Sequence, residues 1–160
     1  MESEREGSRL SFEEYLAEFG KLTYRNVGTS MLPLIKQNRD AFTVRRLEPG
    51  EMPKPKDVVL FRRRAASGEM KYVLHRVWKK SGDMYVCIGD NCVNAEKNVR
   101  LEDIMGILTE VNRKGRIVRM TDRSYRIYVW FWCVTRPVRI FFKKAWLLAK
   151  KLGKKILRRG

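Results

Sequence analysis

Between Tyr24 and Met120 the chain is written in short β-like runs broken by turns, and after Thr121 its apolar residues recur at helical spacing. This change of period is the strongest constraint on the fold: a sheet is built first and helices close the chain. The β-like runs are Ala41–Arg45, Asp57–Phe61, Tyr72–Trp78, Met84–Ile88, Ile104–Val111 and Arg116–Met120. Ser81-Gly82-Asp83 joins the third and fourth runs as a hairpin, and Lys114-Gly115 joins the last two. Glu48 to Lys56, with three prolines and a glycine, reads as a surface loop.

A short helix precedes the sheet. Ser11 followed by Glu14 forms a capping-box pattern, Phe12, Tyr15, Leu16 and Phe19 share one face, and Gly20 supplies the stop. The spacing predicts a helix over Phe12–Phe19. After the sheet, Tyr125 to Val134 is dense in aromatics, and Thr135 with Pro137 reads as the N-cap and first turn of a further helix. There Val138, Phe141, Ala145, Leu148, Leu152 and Ile156 fall on one side, with Lys143, Lys150, Lys154 and Arg158 on another, which makes a basic amphipathic helix. The expected division is an N-terminal helical extension over 1–22, a β domain over 23–120 and a basic aromatic tail over 121–160.

Charge follows the same division. The net charge is +17 over 160 residues. Residues 113–160 hold sixteen Lys/Arg and one acid, Asp122, whereas residues 1–112 hold nineteen basic and seventeen acidic residues. The tail therefore carries +15 and the body +2. Such a tail has anionic lipid or nucleic acid as its ordinary partner, or is a solvated face. Trp130, Trp132 and Trp146 beside the cations suit a lipid headgroup region, so the expected contact is an anionic membrane surface through residues 125–160. No nucleic-acid motif is present, which disfavours nucleic acid as a partner. The competing role for Tyr125 to Phe142 is to cover the β core. Met1 to Leu10 carries no apolar signal core, and Ile127 to Thr135 is too short to span a bilayer. Cys87, Cys92 and Cys133 form no disulfide framework, and one histidine cannot complete a zinc set, so no metal or cofactor is implied. The expectation is a reduced, cytoplasmic protein, peripheral at the membrane surface if the tail engages lipid.

Three segments carry chemistry. In Gly28-Thr29-Ser30-Met31-Leu32-Pro33 a serine flanked by Gly and Pro can sit on a tight turn, with neighbouring backbone N–H groups aimed at an oxyanion. His75, in Tyr72-Val73-Leu74-His75-Arg76-Val77, has the side chain best suited to accept a serine proton near neutral pH. Gly89-Asp90-Asn91 ends a strand, where an Asp can orient an imidazole. Each has an ordinary structural alternative: a loop, a core histidine, a turn.

In this order the segments resemble the boxes of the S26 signal peptidases and their S24 relatives, the self-cleaving SOS repressors. Residues 28–33 match the Gly-x-Ser-Met-x-Pro box throughout. Asp57-Val58-Val59-Leu60-Phe61 matches a Gly-Asp-hydrophobic-hydrophobic-x-Phe strand, with Lys56 in place of the glycine. His75-Arg76-Val77 matches the endoplasmic-reticulum and archaeal form of the third box, and Gly89-Asp90-Asn91 the fourth. The resemblance covers about Tyr24 to Val111. It implies an α+β protein with a mainly β core: a twisted antiparallel signal-peptidase/LexA-like fold, with a short N-terminal helix and C-terminal amphipathic helices. It further implies a serine endopeptidase with Ser30 as nucleophile and His75 as general base, cutting after small residues of an extended peptide. Asp90 matches one acid of the His-type members, and Glu96 falls near a second, so either or both can complete the site. Gly28, Thr29, Met31 and Pro33 lie at the oxyanion and substrate-binding turn. Gly28 stands where some relatives carry an assisting serine.

The chain departs from both groups. It shows neither the N-terminal anchor of signal peptidases nor room before Ser30 for a repressor's DNA-binding domain, and it looks most like small stand-alone S24/S26 peptidases. The alternative reading is a catalytically inactive peptide-binding or membrane-docking module of the same fold.

Overall fold

A computed structural model describes residues 10–157, with side chains as far as residue 151. The expectations on Met1–Arg9, and those on the side chains of Leu152, Lys154, Ile156 and Arg158, lie outside the described residues. The described residues form an α+β fold with eight mostly antiparallel strands, one short helix before them and two helices after.

Helix α1 spans Phe12–Phe19. Ser11 Oγ accepts from the Glu14 amide while Glu14 reaches back to the Ser11 amide, and Gly20 ends the helix at φ +70°. The capping box and its stop satisfy backbone groups that a helix of this length would otherwise leave open. Leu16 alone of α1 is fully buried, and it anchors the helix on the sheet.

The strands are β1 Lys21–Arg25, β2 Ala41–Arg46, β3 Val58–Arg64, β4 Met70–Ser81, β5 Met84–Ile88, β6 Glu96–Arg100, β7 Ile104–Arg113 and β8 Arg116–Arg119. Their spatial order is β1-β2-β7-β3-β4-β5-β6, with β8 also on β7. β7 is the hub. Gly106 to Asn112 pair with β2, Ile104 to Ile107 with β3, and Glu110 to Arg113 with β8. Gly106 is required there, because a Cβ on it would lie 2.5 Å from the Arg45 carbonyl. β4 is long enough to pair with β3 through Met70–Arg76 and then with β5 through Arg76–Ser81, with a bulge between Val77 and Lys79.

Alternation along the central strands splits the apolar residues between two clusters. Val58, Leu60 and Leu74 join Leu16, Leu34, Ile35, Val44, Leu108, Tyr125 and Val129 beneath the helices. Val59, Phe61 and Val77 join Tyr85, Cys87, Val99 and Ile104 on the other side.

Helix α2 spans Arg123–Val134 and helix α3 Arg136–Leu157. Tyr125 and Val129 are buried against the first cluster, with Tyr128 and Cys133 packed at its margin. Covering of the core and outward display thus coexist, since Ile127, Trp130, Phe131 and Val134 of the same helix are apolar and exposed. Pro137 does sit in the first turn of α3, but Thr135 is not an N-cap. Its backbone is helical (φ −77°, ψ −7°), its hydroxyl donates to the Phe131 carbonyl at 2.8 Å, and helical hydrogen bonds flank it on both sides. Thr135 marks a joint in a nearly continuous helical ladder. No helix among the described residues is long and apolar enough to cross a membrane.

Candidate active site

The turn that presents Ser30 is held from below and from the side. Below it, Met31, Leu34 and Ile35 are buried in the helix-side core. To one side, Asn26 donates its side-chain amide to the Gly28 carbonyl at 2.6 Å, and its backbone bonds Asp40 and Asn38. On the other, the Asn91 amide donates to the Ser30 carbonyl at 2.8 Å and the Asn91 side chain to the Thr29 carbonyl at 3.1 Å. Ser30 is half-buried, while Thr29 and Pro33 face solvent. Gly28 has open space around it, so a side chain there would meet nothing.

His75 lies on β4 opposite Val59, on the face away from the helices. It is 6% exposed, and its ring stands edge-on to Phe61 with centroids 6.1 Å apart. Gly89 brings the histidine and serine segments together. A Cβ on Gly89 would lie 2.6 Å from the Ser30 carbonyl oxygen, 2.7 Å from Cys92 Sγ and 3.0 Å from His75 Nε2. A separation under 3.0 Å leaves no room for the atom, so the fourth box needs glycine for close approach rather than for a turn. Nε2 is therefore the nitrogen directed at the Ser30 segment. Nδ1 is buried and has no hydrogen-bond partner among the described residues.

That environment fixes the charge of the imidazole. Burial pushes its pKa from 6.5 down to about 4, the Arg63 guanidinium acts in the same direction, and Asp90 opposes them weakly. His75 is neutral at physiological pH and has a lone pair to offer. Among the described residues no side-chain hydrogen bond joins Ser30 to His75; such bonds commonly tighten only when substrate is bound.

Neither acid expected to orient His75 does so by contact. Asp90 is 3% exposed and its carboxylate faces Arg76, whose Nε and Nη2 donate to it at 2.8 and 2.6 Å. Tyr128 donates to the same carboxylate at 2.9 Å, and the Trp132 indole donates to the Asp90 carbonyl. The Arg76 guanidinium also reaches the Tyr125 hydroxyl and the Lys56 carbonyl. Burial alone would disfavour the guanidinium charge, but the Asp90 contacts outweigh it and hold the pKa above its usual value. The cause is the pleat: Arg76 follows His75 and so points to the opposite face, towards α2, and Asp90 follows it there. Glu96 opens β6 and pairs with Arg63 at 3.4 Å.

Two further residues enter the site. Lys143 on α3 donates to both the backbone carbonyl and the side-chain oxygen of Asn91, and Arg136 donates to the Cys92 carbonyl at 3.0 Å. Helix α3 thus clamps the loop that holds the Ser30 turn. In the sequence Lys143 was one cation among many, and only its position on the inward side of α3 distinguishes it. Lys56, the departure from the second box, has φ +82°, a left-handed conformation that favours glycine. No family model, no curated protein and no solved structure matches the chain.

Proposed function

We propose that the protein is a serine endopeptidase in which Ser30 is the nucleophile and His75 the general base. The reading is carried by one observation. Three segments distant in sequence meet at Gly89, where the Ser30 carbonyl and His75 Nε2 both come within about 3 Å of one point that a single methyl group would fill. As substrate binds, Ser30 Oγ attacks the scissile carbonyl carbon and its proton passes to His75 Nε2. The tetrahedral intermediate collapses, the leaving amine takes that proton, and an acyl-Ser30 ester remains. Water, deprotonated by the same nitrogen, releases the acid and regenerates the hydroxyl. In this reading backbone N–H groups of the Ser30 turn receive the oxyanion, and Gly28 contributes no side chain to it. An extended peptide with small residues before the cut suits a half-buried serine flanked by exposed Thr29 and Pro33.

The chemistry differs from a Ser-His-Asp triad, because among the described residues no carboxylate contacts Nδ1. Burial keeps His75 in its basic form, and the imidazolium formed during the reaction is stabilised only at a distance by Asp90. Screening a library of small-residue peptides tests the proposal: cleavage should be lost in Ser30→Ala and His75→Ala proteins. Cleavage that survives Ser30→Ala would contradict it. Peptide binding without cleavage would assign the fold to the non-catalytic module.

A further inference from the structure

Helix α3 is amphipathic, but it is mounted the wrong way round for a helix that merely covers a core. Its inward side is the polar one: Arg136 bonds the Cys92 carbonyl, Arg139 bonds the Trp132 carbonyl and stacks on that indole, and Lys143 bonds Asn91. Ile140 is half-buried between them. Its outward side is apolar, with Phe141 69% exposed, Phe142 66% and Val138 59%. The outer face of α2 continues the stripe through Ile127, Trp130, Phe131 and Val134, all exposed. Because the helical hydrogen bonds pass through Thr135, residues 127, 131, 134, 138, 141, 145 and 148 fall along one side. Twenty-one helical steps at about 1.5 Å make a stripe on the order of 30 Å long. Surfaces of this kind mark interaction sites on soluble domains.

We infer that the outer face of α2 and α3 docks on an anionic lipid surface, lying in its plane rather than crossing it. Charge decides between occupants. From Arg123 to the end of the chain there is no Asp or Glu, and α3 alone carries eight Lys/Arg. A second copy seated on the same face would bring those cations against their own kind. A nucleic acid would meet an aromatic and aliphatic face, while three of the cations are engaged with the body. An anionic bilayer accepts both properties: the aromatics enter the headgroup and acyl boundary, and Lys144, Lys150 and Lys151 flank them towards the phosphates. Lys150 already lies over the Trp146 ring at 5.0 Å. The membrane plane would then lie about one helix diameter, about 10 Å, from Asn91 and the Ser30 turn.

The test is co-sedimentation of the full chain with phosphatidylcholine vesicles containing phosphatidylglycerol, read together with tryptophan emission. Expected are vesicle binding, a blue shift and weaker binding to phosphatidylcholine alone. The double variant Val138→Ser/Phe141→Ser should bind at least about tenfold more weakly, with an unchanged melting temperature because both side chains face outward. Ser30→Ala should bind like the wild type, which separates this inference from the peptidase reading. Equal binding by wild type and double variant would overturn it. So would a dimer dissolved by the double variant, or binding to single-stranded nucleic acid, where the vesicles capture nothing.

Discussion

His75 and Arg76 are consecutive residues of one strand, and Gly89 and Asp90 are consecutive residues of the loop facing them, yet the two pairs build opposite kinds of site. On one face, His75 and Gly89 make a sparse cradle: a neutral imidazole with one nitrogen unpartnered and a glycine with no space for a methyl group. On the other, Arg76 and Asp90 make a saturated one. Two charge-assisted hydrogen bonds join them, and Tyr125, Tyr128 and the Lys56 carbonyl complete their shell. A satisfied network is rigid and costly to break, whereas a group left poor in partners is available for chemistry. The alternation of the strand lets one stretch of sequence supply both.

The difference can be broken from either side. Asp90→Ala leaves the Arg76 charge buried and unpaired, and should cost about 3–5 kcal/mol of stability in a denaturant titration. His75→Ala, by contrast, removes no side-chain hydrogen bond among the described residues and should cost less than about 2 kcal/mol, a cavity effect softened by the small volume lost. A larger loss for His75→Ala than for Asp90→Ala would reverse the assignment of the two faces.

Gly89→Ala sharpens the comparison, because it acts on the sparse face only. The added methyl has to displace the Ser30 carbonyl, with an expected loss of about 1–3 kcal/mol and of the proposed peptidase activity by more than about a hundredfold. Retention of full activity would show that the approach of Ser30, Gly89 and His75 is immaterial.

The buried neutral imidazole also predicts a pH effect. Its folded pKa, about 4, lies below the unfolded 6.5, so between those values the unfolded chain binds more protons. This contribution to stability is complete above pH 6.5 and falls as pH drops towards 4, by up to about 3 kcal/mol. His75→Phe should flatten that part of the melting-temperature profile. The smallest effect belongs to Lys56, whose side chain carries the cost of φ +82°. Lys56→Gly should stabilise by about 0.5–1 kcal/mol, once the greater freedom of glycine in the unfolded chain is set against the relieved strain.

Much of this was legible in the residues. Helix α1 runs over Phe12–Phe19 as its capping box and Gly20 dictate, and the hairpin of β4 and β5 turns where Ser81-Gly82-Asp83 stands. These are local signals. β1 and β6 were not anticipated: Lys21–Arg25 and Glu96–Arg100 are polar edge strands whose pairing comes from partners distant in the chain. The order of the boxes brought Ser30, His75 and Gly89 into one hypothesis, but motif order is blind to which face a side chain takes. Asp90 and Glu96 therefore both read as possible partners of His75, although strand alternation and the arrival of α2 commit Asp90 to Arg76 and Glu96 pairs with Arg63. Lys143 escaped notice for the same reason. Its role depends on which side of α3 meets the body.

The central claim is that chemistry lies with Ser30 and His75, while Asp90 serves the scaffold. It is tested most directly by the rate at which a fluorophosphonate labels Ser30, located by mass spectrometry, in wild-type, His75→Ala and Asp90→Asn proteins whose folding is checked by circular dichroism. The account predicts that His75→Ala loses labelling by more than about a hundredfold, and that folded Asp90→Asn keeps it within a few fold. Labelling that persists without His75, or that vanishes in a folded Asp90→Asn protein, would contradict it.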